Sequence, residues 1–213
     1  MRKSVTALLL VFAARAETID RIAVSVGNGV ITSSAIDREI RLVAFQQRRQ
    51  PDFSPANRRG TAERMVDRKL IERELASSHY PPLEESEVEP ELAQFRKDFF
   101  PAGEAFERAL AEYRITEQDF KKQLLWQGTF VSFLDVRFRP GVQVTDQEIQ
   151  DYFTSKVEPL ARAAHPGQTV SLDDYRDQIE STLAGRRADE QRDIWLKEAR
   201  QRTEVVFHDE AFR

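Results

Sequence analysis

Histidine is the residue type in this chain best suited to metal or acid–base chemistry, and it occurs at His79, His165 and His208. Zinc or copper needs several such ligands converging from one helix face, one hairpin or a set of cysteine partners. These three lie in separate segments and the chain has no cysteine, so no metal site is expected. The acidic run Glu84, Glu85, Glu87, Glu89 and Glu91 lacks the glycine turn around which a calcium loop alternates its oxygens. It reads as the solvated start of a helix. Gly27-Asn28-Gly29 has neither the third glycine nor the strand-to-helix context of a phosphate cradle, and reads as a hairpin turn. There is no Gly-x-Ser-x-Gly run, and no spacing ties a serine, a histidine and a carboxylate into a triad. The residues predict no catalytic group and no cofactor.

What remains is apolar chemistry. The chain carries 14 phenylalanines, many for its length. Phe120, Leu124, Val131 and Leu134 are expected in the core. Phe99, Phe100, Phe106, Trp126, Phe130 and Phe133 outnumber what a single helical stripe can bury, and are expected to line a crevice open to an apolar ligand.

The elements that must position these rings are mainly helical. Ile22, Val24 and Val26 alternate with Arg21, Ala23 and Ser25 as in a half-buried strand, and Val30-Ile31 begins the return strand. Thr32, Ser33 and Ser34 offer capping hydroxyls to a helix whose inward face carries Ile36, Ile40 and Val43. Gln50 to Gly60, with two prolines and a glycine, reads as a loop. Beyond it a helix from Thr61 to Ser78 has the stripe Val66, Leu70, Ile71 and Leu75. Further helices are expected over Ser86–Phe99, with Pro90 near its first turn, over Glu104–Tyr113, and over Thr116–Phe138, entered at Thr116-x-x-Asp119. Thr145 to Glu148 is a capping box opening Thr145–Phe153. A last helix starts at Ser171 with Leu172, Tyr175, Ile179 and Leu183 as its stripe.

Residues 1–16 read as an export signal: Arg2 and Lys3, an apolar run from Val5 to Ala14, then Ala14-Arg15-Ala16 as a cleavage pattern that leaves Glu17 at the new N-terminus. Ten apolar residues rise only about 15 Å as a helix, roughly half a bilayer's hydrocarbon thickness, so no stable membrane insertion is expected after cleavage. Losing Arg2, Lys3 and Arg15 takes the 32 basic residues to 29 against 36 acidic ones, and the formal charge from −4 to −7. That balance opposes a nucleic-acid surface or docking on anionic lipid. Export without cysteines leaves the fold to stand on packing alone.

The run from Val26 to Asp37, V-x-N-G-V-I-T-x-S-x-x-D, resembles the opening of the chaperone domain of SurA-type periplasmic chaperones and their parvulin-associated relatives. ITEQDFKKQL (Ile115 to Leu124), VTDQEIQDYF (Val144 to Phe153) and WLKEARQRTEVVF (Trp195 to Phe207) are similar to later parts of the same domain. The resemblance implies a SurA N-terminal-type helical domain over residues 17–153, completed by residues 171–213, with Glu204 to Phe207 pairing with the strand around Ile22 to Val26 and joining the chain ends. It also implies an ATP-independent holdase in the periplasm whose partners are unfolded outer-membrane or secreted polypeptides.

The chain departs from the family between these parts. One or two isomerase modules of roughly a hundred residues each typically intervene, and here only residues 154–170 are available. That stretch suits a linker, not a sheet with helices around it. His165 stands alone there, and no Gly-Gly pair exists for the parvulin fingerprint, so the isomerase site is expected to be absent. An isomerase, or a non-catalytic adaptor for one folded envelope protein, are the alternatives to a holdase, and the oligomeric state is left open.

Overall fold

Gly27 makes the first turn possible. Its φ of +54° lies in the left-handed region, where only glycine is at ease, and a Cβ there would meet the Arg73 guanidinium at 2.8 Å. The turn joins β1 (Ile22–Val26) to β2 (Gly29–Thr32), and β3 (Val205–Phe207) pairs antiparallel with the far side of β1, giving the strand order β2-β1-β3. The Gly27 amide donates to the Glu204 carbonyl at 2.8 Å, and Arg73 donates to the Val26 carbonyl, so turn, sheet edge and a helix meet at this point. Gly27→Ala is expected to cost about 1–2 kcal/mol in urea unfolding. An unchanged midpoint would show that the turn rearranges freely.

The computed structural model describes residues 20–213 apart from 79 and 82. The predicted export signal with its Ala16–Glu17 junction, and His79, lie outside the described residues. The mainly helical architecture with a small antiparallel sheet agrees with the sequence expectation. One strand detail differs. Ile22 pairs with Thr32 and Val24 with Ile31, so Ala23 is an extra residue in β1. This bulge shifts the phase of the strand: Ala23, Val24 and Val26 are buried while Ile22, expected inward, is exposed.

Helix α1 (Ser33–Gln46) is capped by Thr32, whose hydroxyl accepts from the Ala35 amide at 3.3 Å. Its first turns give Ile36 and Ile40 to the core under the sheet, and its last turns give Leu42 and Phe45 to a second core. Helix α2 (Pro55–Ser77) begins six residues before the expected start. Ser54 caps it, Pro55 occupies the first turn where its missing N–H costs nothing, and Gly60 is carried inside the helix. Val66, Leu70 and Ile71 are buried as the stripe predicts.

Helix α3 (Glu85–Phe99) holds Pro90 in its second turn, on the exposed side. Helices α4 (Ala105–Tyr113) and α5 (Glu117–Arg137) follow, and the Thr116/Asp119 capping box forms as expected. Helix α6 (Asp146–Tyr152) starts at the Thr145/Glu148 box. The predicted linker is partly helical: a π-helical stretch at Phe153–Val157 runs into α7 (Glu158–Ala164). Helix α8 (Arg176–Gln201) starts after the expected Ser171. Its 26 residues span about 39 Å and pack Ile179, Ala188, Leu196 and Ala199 against three separate apolar clusters. Arg200 pins it to α2, donating to Asp67 at 2.7 Å and to the Glu63 carbonyl at 3.0 Å. No helix among the described residues is long and apolar enough to cross a membrane.

Candidate functional site

The six rings singled out by sequence do not share one crevice. Phe99, Phe100 and Phe106 belong to a cluster built around Phe45 where α1, α3, α4 and α5 meet. Phe106 is 2% exposed and sits under the Arg96 guanidinium, 4.2 Å from the ring centre; Arg96 in turn pairs with Glu117. Phe100 is half-buried and stacked on Phe45, with ring planes 7° apart. Phe99, 42% exposed, lies at the rim, against Phe95 and under Arg48. Phe133 is likewise core, 2% exposed, between Phe138 and Trp195. Phe133 is therefore corrected from crevice to core, and Phe106 is buried too, although with Phe100 it still edges a separate cleft of about 350 Å³ beside Arg96. The reason is a second layer: α4 folds back on α1, and α8 covers α5, so more than one stripe is buried. Val131, expected in the core, is 57% exposed, with no helix or strand among the described residues covering that side of α5.

Trp126 and Phe130 are the pair that opens onto a groove. They stack at 5.8 Å with their planes 25° apart, both half-buried, and wall a cleft of about 520 Å³ between α1, α2, α5 and α8. Ile71, Val43 and Leu196 supply further apolar lining. Spacing explains the pairing: residues four apart on a helix share a face, and the same face of α5 carries Gln123 and Gln127.

Most charges around this groove are already partnered, and Arg64, which has no ion pair among the described residues, donates to the Thr61 hydroxyl at 2.8 Å. The Arg68 guanidinium lies 4.5 Å over the Trp126 ring, donates to Glu72 at 2.9 Å and reaches Gln123 at 3.4 Å. Gln123 donates to Glu39 at 3.4 Å. Asp67 holds Arg200, and Arg192 is held by Asp189 at 2.6 Å and Asp193 at 2.8 Å. A groove so neutralised favours an apolar ligand without a net charge requirement. Among the described residues no group of three or more potential ligands gathers for a metal; His165 is exposed, and His208 lies within hydrogen-bonding distance of the Ser25 hydroxyl, at 3.2 Å.

Sequence reasoning missed Glu39, Arg68, Gln123 and Leu196. Glu39 gave a signal, since it lies between Ile36 and Val43 on the inward side of α1. Burial pushes its carboxyl above the usual glutamate range, against the pull of Arg68, the Gln123 amide and Arg64. Glu39 thus binds a proton more tightly folded than unfolded. The stability it contributes is complete below the ordinary glutamate value and is lost as pH rises through the raised one. Glu39→Gln is therefore expected to melt higher than the parent at neutral pH, with the gap closing as pH falls into the glutamate range. A gap that stays constant with pH would contradict this.

No family model matches the sequence. Over 150 residues the chain is 29% identical to the Chaperone SurA of Alcanivorax borkumensis, a stretch covering 68% of this chain and 34% of that protein. The match thus spans about a third of the relative's length. This distant similarity supports a SurA-like family.

Proposed function

We propose that the chain is an ATP-independent holding chaperone of the periplasm, which shelters apolar segments of unfolded outer-membrane or secreted polypeptides in the groove walled by Trp126 and Phe130. The observation that carries this reading is a stacked aromatic pair left half-open over a cleft most of whose bordering charges are internally paired. Such a surface offers apolar area without a polar code to read. Specific recognition relies on polar groups that penalise the wrong ligand, and here they are occupied by one another.

The energetics suit transient capture. Burying one client side chain is worth about 1.5–3 kcal/mol, and association costs at least about 4 kcal/mol. Two or three anchors therefore leave binding that is micromolar or weaker, on the scale where 1 μM is about 8 kcal/mol. A client that must later leave to fold is served by weak binding. The distant similarity to a chaperone supports the same class of activity. Export through cleavage between Ala16 and Glu17, and the lack of an isomerase module between Phe153 and Arg176, are parts of this proposal.

The test is aggregation of a denatured outer-membrane β-barrel, followed by light scattering, in parallel with a proline-isomerisation assay. The expected result is suppression of scattering without acceleration of isomerisation. Isomerisation without suppression overturns the proposal. Saturable binding to one native envelope protein, with indifference to unfolded chains, overturns it in favour of an adaptor.

A further inference from the structure

A second cleft, of about 540 Å³, lies between α7 and the start of α8 and contains none of the six rings. Its size is that of a small-molecule site, about 300–1,000 Å³. Val157, Leu160, Ala161 and Ile179 give it an apolar lining, Tyr152 and Tyr175 add two phenols, and Lys156 and His165 add basic nitrogen groups. No carboxylate lines it, although acidic residues outnumber basic ones, 36 to 32, in the chain as a whole.

The surroundings reinforce that local sign. Arg186 stacks 5.0 Å from the Tyr152 ring centre and donates to its hydroxyl at 3.2 Å. Among the described residues no carboxylate lies within ion-pairing range of Lys156 or Arg186, and the neighbouring Glu158 is occupied by Arg162 at 2.5 Å. Leu160 stands 73% exposed beside the cleft, an apolar side chain with nothing over it among the described residues. The backbone adds an independent sign. Lys156 and Val157 belong to the π-helical stretch Phe153–Val157, a rare conformation that appears disproportionately where a helix has been reshaped for function. Here the wide turn sets both residues on the cleft wall.

We infer that the cleft between α7 and α8 binds a linear anionic amphiphile of the long-chain carboxylate class, its tail along Val157, Leu160 and Ile179 and its head at Lys156 and His165. Charge complementarity selects this occupant. A cationic amphiphile would find no counter-charge in the lining, and a neutral apolar segment would make no use of Lys156. The inference does not rest on the Trp126–Phe130 groove.

The test is calorimetric titration of the full chain with dodecanoate below its micellar concentration, with dodecyltrimethylammonium and acetate as controls. Dodecanoate is expected to bind once per chain, more weakly at high salt because the head-group attraction is screened, and acetate is expected not to bind. Lys156→Glu turns a surface attraction into a repulsion and is expected to weaken binding about tenfold. Ala164→Trp, at an exposed position of the lining, is expected to fill the cleft and abolish binding. Both variants should melt with the parent.

Equal binding of dodecyltrimethylammonium would overturn the inference, since the cleft would then be reading the tail alone. Dodecanoate binding unaffected by both substitutions would place the ligand elsewhere, and absence of binding would end the proposal outright. Binding retained when Trp126 and Phe130 are both replaced by serine keeps this result separate from the holdase reading.

Discussion

Phe45→Ala is expected to destabilise the protein by about 3–5 kcal/mol, the range for emptying a phenylalanine site in a packed core, read as a fall in the urea midpoint. Phe45 is almost fully buried. Its ring has Phe95, Phe100, Phe106, Tyr113 and Phe120 at centroid distances between 5.1 and 5.9 Å. Stacked, tilted and edge-on pairs of this kind add to area burial, by about 0.5–1.5 kcal/mol each in favourable cases. Four helices contribute rings to this cluster, so the hole cannot close by shifting one element. Phe99→Ala is the control: at 42% exposure it removes a rim contact and should cost no more than about 1 kcal/mol. Similar losses from the two changes would mean that the rings around Phe45 are not a packed core, and the assignment of Phe106 to the interior would fall with it.

That cluster also shows what the sequence conceals. Caps are local, so Thr116/Asp119 and Thr145/Glu148 could be read from three-residue spacings, and both boxes form. The stripe of α2 was legible for the same reason. Pairing of Glu204 to Phe207 with the first strand came from a resemblance, not from periodicity, and β3 does pair with β1. The phase of β1 was not legible, because the bulge at Ala23 exists only in relation to β2. The fate of the phenylalanines was not legible either. Composition counts rings, but whether a ring is covered depends on α4 folding onto α1 and on α8 crossing α5. The groove itself joins Glu39 of α1, Arg68 of α2, Trp126 of α5 and Leu196 of α8, residues whose separations carry no periodic signal. Only the Trp126–Phe130 interval of four was visible in advance.

Replacing Trp126 and Phe130 together by serine is expected to weaken client capture by roughly 10–100-fold while leaving a folded protein. Each ring is half-buried, so about half of the 1.5–3 kcal/mol available per side chain remains to be gained on a client. Two rings then contribute about 1.5–3 kcal/mol, which is that fold-change at about 1.4 kcal/mol per decade. Arg68 loses its seat over the Trp126 ring, but the ion pairs of the frame remain, Arg68 with Glu72 and Arg200 with Asp67, and the fold is expected to survive. Phe133→Ser, three residues further along the same helix, should do the reverse. It leaves a cavity beside Phe138 and Trp195 and buries a hydroxyl, so the loss should fall on stability, about 3–5 kcal/mol, with capture by the remaining folded fraction unchanged. Trp126→Phe restores an aromatic wall and should recover most of the binding. The measurements are the urea midpoint of each variant and its affinity for a fluorescent unfolded outer-membrane polypeptide. If the double variant binds as the parent does while remaining folded, the groove is not where clients are held. If it unfolds as readily as Phe133→Ser, Trp126 and Phe130 are core, and the half-open wall on which the holdase reading stands does not exist in solution.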